Sequence, residues 1–253
     1  MAHRVGSAAR ALGLCCALAA CGGTLGQHGD LTPDSRLRVA EAAEQSGNTD
    51  TAASMYAAAA EAAPEDMAVQ VRAATGLARS GKWNPARDLL VTRLKTHPRD
   101  PDLLRALASI YVMVGQPGFA IARFNDVLAV VPADVDAMVG KAVALDLESR
   151  HADAQLLYRK ALAVQPNDAV ISNDLAISLM MSGHMREAQS VLEPFAEADD
   201  VPERLKVNLG IIYAANGEAD RAHELLDGHI GDNDLRMLTR AIAHNAPVVV
   251  QPQ

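Results

Sequence analysis

Aromatic residues are scarce: Phe, Trp and Tyr supply 3% of the 253 residues. Aromatic and β-branched side chains favour strands, so an Ala-rich chain short of aromatics is expected to pack helices through small residues, and an all-β architecture is excluded. Cysteine is equally thin, with Cys15, Cys16 and Cys21 confined to the N-terminal end. Positive charge is in deficit, since 23 Lys and Arg stand against 31 Asp and Glu, giving a net charge of −8. Nucleic-acid binding needs a basic stripe that releases counterions from phosphate, and this balance argues against it. Long apolar runs are missing too: the uncharged stretch at residues 11–20 is too short to span a bilayer. What is present is 49% hydrophobic and 21% charged residues, proportions that allow a sizeable core and argue against disorder throughout.

Residues 1–20 read as a targeting segment, in which Arg4 and Arg10 form a basic start ahead of the apolar stretch. Leu18, Ala19 and Ala20 then precede Cys21, and this run resembles the bacterial lipobox. The resemblance implies cleavage before Cys21, a diacylglyceryl group on its thiol and acylation of the new amine. Several acyl chains anchor stably where a single one binds only marginally. Gly22 after the cysteine, instead of Asp, implies the outer-membrane sorting class, hence a lipid-anchored protein on the periplasmic face of the outer membrane. The alternative is an ordinary secretory peptide with an incidental cysteine. Loss of residues 1–20 would leave Cys21 as the one cysteine and a net charge of 21 − 31 = −10. Such a chain has no disulfide, no Cys-ligated zinc and no Cys nucleophile. Residues 21–32 then form a glycine-rich tether that reaches at most about 40 Å when extended.

One spacing organises the remainder. Ala52, Ala86, Ala120, Ala154, Ala188 and Ala222 stand 34 residues apart (86 − 52 = 34). Ala40, Ala74, Ala108, Ala142, Ala176 and Gly210 keep the same step, as do Gly47, Gly81, Gly115, Ser149, Gly183 and Gly217. Pro64, Pro98, Pro132 and Pro166 make a fourth series, and Tyr56, Leu90, Phe124, Tyr158, Leu192 and Leu226 a fifth.

This pattern resembles the tetratricopeptide repeat, a helical hairpin of that period. The resemblance implies an all-α, right-handed α-solenoid of six hairpins over residues 33–236, in units 33–66, 67–100, 101–134, 135–168, 169–202 and 203–236. In each unit the glycine closes the first helix (A) in the left-handed conformation, and the proline ends the second (B). Ser149 departs from the glycine series, Arg93 and Val127 occupy usually small positions, and Asp200 replaces a closing proline. Pro194 is expected to shorten the second helix of unit five by about a turn. Leu235, Leu238 and Ile242 have helical spacing, which predicts a capping helix over 235–245 and a loose tail over 246–253.

By the same resemblance, the residues two, five, nine and twelve places into each unit line a concave surface. Unit one offers Asp34, Leu37, Glu41 and Glu44, and unit three Asp102, Arg105, Ser109 and Val112. The second half is apolar: Val139, Val143, Ile177, Met180, Val207, Ile211 and Ala214, with Asn173 and Asn208 beside them. Apolar pockets with asparagines suit an extended peptide, because an amide side chain can satisfy both a backbone N–H and a C=O. Val139, Val143, Asn173, Ile177, Met180, Asn208 and Ile211 are therefore the candidate peptide-binding residues. The same residues also suit packing between neighbouring A helices, and Val207 and Ala214 fit that reading at least as well.

Catalytic signals are lacking. The eight histidines are scattered with no His-Glu-x-x-His pair, and no phosphate loop or Gly-x-Ser-x-Gly elbow occurs. Asp232, Asn233 and Asp234 lack the ligand spacing of an EF-hand and suit a helix N-cap. The expectation is no enzyme, no metal, no cofactor, no small-molecule substrate and no nucleic acid, but protein partners. The run Asn173-Asp174-Leu175-Ala176 through Gly183 to Leu192-Glu193-Pro194, with Asn208-Leu209-Gly210, resembles the TadD-like lipoproteins of tight-adherence (Tad/Flp) pilus systems. That resemblance implies help with assembly or positioning of a pilus secretin. Alternatives are a pilotin or assembly lipoprotein of another envelope complex, or an adaptor of cell-wall enzymes.

Overall fold

The computed structural model describes residues 31–198 and 200–226. Twelve α-helices and no strand occur among these residues. The first hairpin is α1 (Pro33–Gln45) and α2 (Thr49–Ala62), the second α3 (Met67–Arg79) and α4 (Trp83–Leu94), and the third α5 (Pro101–Met113) and α6 (Pro117–Val130). The fourth is α7 (Val135–Leu147) and α8 (His151–Val164), the fifth α9 (Ala169–Met181) and α10 (Met185–Leu192), and the sixth α11 (Glu203–Ala215) and α12 (Ala219–Leu226). Every A helix has 13 residues, and each begins 34 residues after the one before it (67 − 33 = 34).

Local chemistry fixes these bounds. The Asp66 side chain accepts from the Val69 N–H, Asp100 from Asp102 and Leu103, Asp134 from Ala137, and Asp168 from Val170 and Ile171. Each satisfies helix-start donors that have no partner within the helix. At the hairpin bends five glycines take φ between +68° and +84°, and Ser149 adopts the same left-handed turn at φ +58° despite its Cβ. Pro64, Pro132 and Pro166 lie two residues beyond the ends of α2, α6 and α8. Pro194 does cut the fifth hairpin short: α10 has 8 residues where α8 has 14, and a 3-10 turn, Glu193–Phe195, follows it.

The two series of small residues within the helices, Ala52 to Ala222 and Ala40 to Gly210, are buried throughout, and so is the fifth series, from Tyr56 to Leu226. Two joints between consecutive units pair a ring with a glycine. A Cβ on Gly76 would lie 2.2 Å from Tyr56 Cζ, and one on Gly140 would lie 2.3 Å from Phe124 Cζ. No real side chain tolerates such distances, so these glycines are holes into which the rings of the preceding unit fit. One core cluster runs from Leu37 to Ile110 and a second from Met138 to Ala222. A small third cluster around Phe124, with Leu104, Ala108, Ala120, Val127, Ala137 and Ala144, joins them.

Each A helix also touches the next A helix, which places the A helices on the inner wall of a right-handed α-solenoid. Cys21, the predicted capping helix over 235–245 and the tail over 246–253 lie outside the described residues, as does the end of the sixth unit from residue 227.

Candidate functional site

The inner wall has two unlike halves. In the first, the acidic residues are already partnered: Arg72 on α3 reaches Asp34 at 3.2 Å and Glu41 at 2.9 Å on α1. Arg79 grips Glu44 with Nε to Oε1 at 2.6 Å and a second guanidinium nitrogen to Oε2 at 2.9 Å. Arg105 on α5 bonds both Asp102 and Asp134. Leu37 is fully buried and does not reach the surface at all. The charged lining of the first units is therefore taken up by ion pairs, most of them between neighbouring A helices and one, Arg105 with Asp102, within α5.

The second half is apolar. Ile177 is 37% exposed, while Val139, Val143, Met180 and Ile211 are partly buried, and the first three of those pack against the C-terminal core cluster. Val207 is partly buried and Ala214 buried. The asparagines behave differently from the sequence expectation. Asn173 is 1% exposed, and the Asn208 amide donates to its Oδ1 at 2.7 Å. Asn173 is too enclosed to meet a peptide backbone and instead ties α9 to α11 through Asn208, which is itself only partly buried.

In place of the asparagines, the structure brings carboxylates to the groove. A cavity of about 360 Å³ opens between units four and five, walled by Val143, Leu147, Ile177 and Met181, with Asp146 and Asp174 inside. Tyr158 and Ser149 complete its lining. Asp146 accepts from Ser178 Oγ at 2.7 Å and from the Tyr158 hydroxyl at 3.2 Å, and lies 2.8 Å from His151 Nδ1. Burial raises the Asp174 carboxyl above its ordinary range, against the opposing influence of Arg204 and Asn173. Burial, then the Asp146 and Asp174 charges, pushes the Tyr158 phenol up as well. Sequence reasoning passed over Asp146, although it occupies the twelfth place of its unit, the register of Glu44 (146 − 44 = 102, three periods). No group of three or more His, Cys, Asp or Glu among the described residues is arranged to hold a metal. No described helix is long and apolar enough to cross a membrane.

The tetratricopeptide repeat family matches residues 33–165, and a second tetratricopeptide repeat match covers 173–234. The chain belongs to the tetratricopeptide repeat family. Over 90 residues it is 38% identical to the uncharacterized protein y4yS of Sinorhizobium fredii, a stretch that is 36% of this chain and half the length of that relative. Among solved structures, PilW, described as a widely conserved type IV pilus biogenesis factor, superposes with a TM-score of 0.66 at 16% identity, over 78% of this chain and 91% of PilW. PilF of Pseudomonas aeruginosa gives 0.60 at 17% identity, over 76% and 88%. These likenesses concern the fold.

Proposed function

We propose that this tetratricopeptide protein is a protein-interaction scaffold that assists assembly of an envelope machine, a pilus of the Tad/Flp kind, by holding a segment of a secretin or another assembly component. The observation that carries the reading is the division of the inner wall. Its first half is closed by ion pairs between helices, while its second half carries Val139, Val143, Ile177, Met180 and Ile211, of which Val143 and Ile177 line an open cavity. Partly exposed apolar surface gathered on one concave wall is the usual form of a docking surface. The fold shared with a type IV pilus biogenesis factor supports a role in pilus assembly, and the Tad/Flp choice rests on the sequence resemblance. Acylation of Cys21 would hold the scaffold on the periplasmic face of the outer membrane, close to a secretin.

A photo-crosslinking residue at Ile177, compared with one at Lys160 on α8, tests the reading in cells. Position 177 is expected to yield an adduct with a pilus-assembly component, and position 160 is not. Adducts from position 160 alone would put the partner on the outer wall and overturn the assignment. The anchor is tested separately by labelled palmitate, which the Cys21→Ser variant is expected not to incorporate.

A further inference from the structure

The repeat allows one place in the protein to be compared with its own counterpart three periods away. At the joint of units one and two, Glu44, Tyr56 and Arg79 form a closed triad. The arginine bonds both carboxylate oxygens at 2.6 and 2.9 Å and the phenol oxygen at 3.1 Å, and the Tyr56 hydroxyl donates to Glu44 at 2.8 Å. Adding 102 to each number gives Asp146, Tyr158 and Met181. The acid and the phenol are kept, bonded at 3.2 Å, and Ser178 Oγ and His151 Nδ1 hold the other oxygen of Asp146, but a thioether replaces the guanidinium. At this joint lies the 360 Å³ cavity, and it holds a second carboxylate, Asp174. Among the described residues no ion pair reaches Asp174. Arg204 acts on it only through its charge.

We propose that this cavity receives an arginine side chain from the partner polypeptide held in the groove, its guanidinium on Asp146 and Asp174 and its methylene stem between Val143, Ile177 and Met181. The proposal rests on the groove reading above and adds the chemistry of the residue recognised there. Three features select arginine. The counterpart joint is filled by an arginine of this chain in a two-pronged bond to the carboxylate, a geometry that a planar guanidinium matches and a point-charge ammonium does not. The walls are aliphatic, which suits the three-carbon stem of an amphipathic side chain. Two carboxylates sharing a half-buried space repel each other, and a cation between them removes that repulsion.

The test uses the full chain in detergent and three fluorescent heptapeptides of alternating Ala and Leu with arginine, citrulline or leucine at the centre, read by anisotropy. Citrulline keeps the shape of arginine and loses its charge. The arginine peptide is expected to bind about tenfold tighter than the citrulline peptide, the gain of one charge-assisted hydrogen-bond set. Asp174→Asn is expected to erase most of that preference. Met181→Arg, which copies the first joint into the fourth, is expected to fill the cavity from within, abolish the preference and raise the melting temperature. Glu44→Gln, far from the cavity, is expected to leave the preference unchanged. Equal binding of arginine and citrulline peptides to the native chain would overturn the arginine site while leaving the groove intact. Binding of none of the three peptides would overturn both. An arginine preference that survives Met181→Arg would place the recognised cation elsewhere, and calcium saturation of the same carboxylates without any peptide preference would make the cavity a metal site; either result refutes the proposal.

Discussion

Glu44 and Asp174 are both carboxylates on the inner wall, and their surroundings move them in opposite directions. The hydrogen bond from Arg79 holds Glu44 below its ordinary 4.5, so its contribution to stability is complete above that pH and is lost as pH falls through the depressed folded value. Glu193 follows the same rule through Arg221. Asp174 has the reverse sign: burial raises it, the folded chain holds its proton longer, and stability falls as pH rises through the folded value. Asp174→Asn is therefore expected to raise the melting temperature at neutral pH, with a gain that shrinks on acidification. Glu44→Gln is expected to lower it at neutral pH, with a loss that closes well below pH 4.5. Thermal unfolding of both variants across pH checks the pair of signs; a neutral-pH loss for Asp174→Asn would show that this carboxylate is a structural tie and not a group kept ionised against the cost of burial.

At the scale of the element, helices are located by caps and turns, and they approach one another as closely as their smallest residues allow. Gly76→Ala introduces a methyl group at 2.2 Å from the Tyr56 ring and is expected to cost about 1 to 3 kcal/mol in chemical denaturation. Gly118→Ala on α6 is the control, because its Cβ would meet nothing nearer than Glu148 Oε1 at 3.5 Å, and it is expected to be neutral or stabilising. Equal effects for the two would refute the fit of ring into glycine. Much at this scale was legible in the sequence. Small residues, turn glycines and prolines repeat at 34, and the six A helices begin at that same step. The capping aspartates at 66, 100, 134 and 168 share the step as well and could have been read from it. The asparagine tie could not. Asn173 and Asn208 are 35 apart, outside any register, and only the offset between α9 and α11 brings them to 2.7 Å. The cavity was half legible: Asp146 follows from the register of Glu44, but its open state depends on the replacement of an arginine by Met181, whose meaning appears only once the first joint is seen closed.

Over the whole molecule, contacts run between neighbours along a line, so stability is local and is passed on through the joints. Phe124 stands in the small cluster that connects the two larger cores. Phe124→Ala is expected to cost about 3 to 5 kcal/mol and, more tellingly, to divide unfolding into two transitions. Hydrogen exchange is expected to lose protection from α5 through α8 while α1 and α2 keep theirs. A single transition displaced as a unit would mean that the two cores are coupled by more than this cluster.

The fitted rings have a consequence for how such an array can be edited. Its constant period suggests that units could be removed or duplicated as clean blocks. Removing unit two would leave every remaining helix at its length, yet it would set the Tyr56 ring against Ile110, which stands where Gly76 stood (76 + 34 = 110). Removing unit four would bring Phe124 onto Asp174 in place of Gly140 (140 + 34 = 174). Recombination at those unit boundaries therefore produces a steric mismatch at the new joint, and the order of the units is written in two rings and two missing methyl groups.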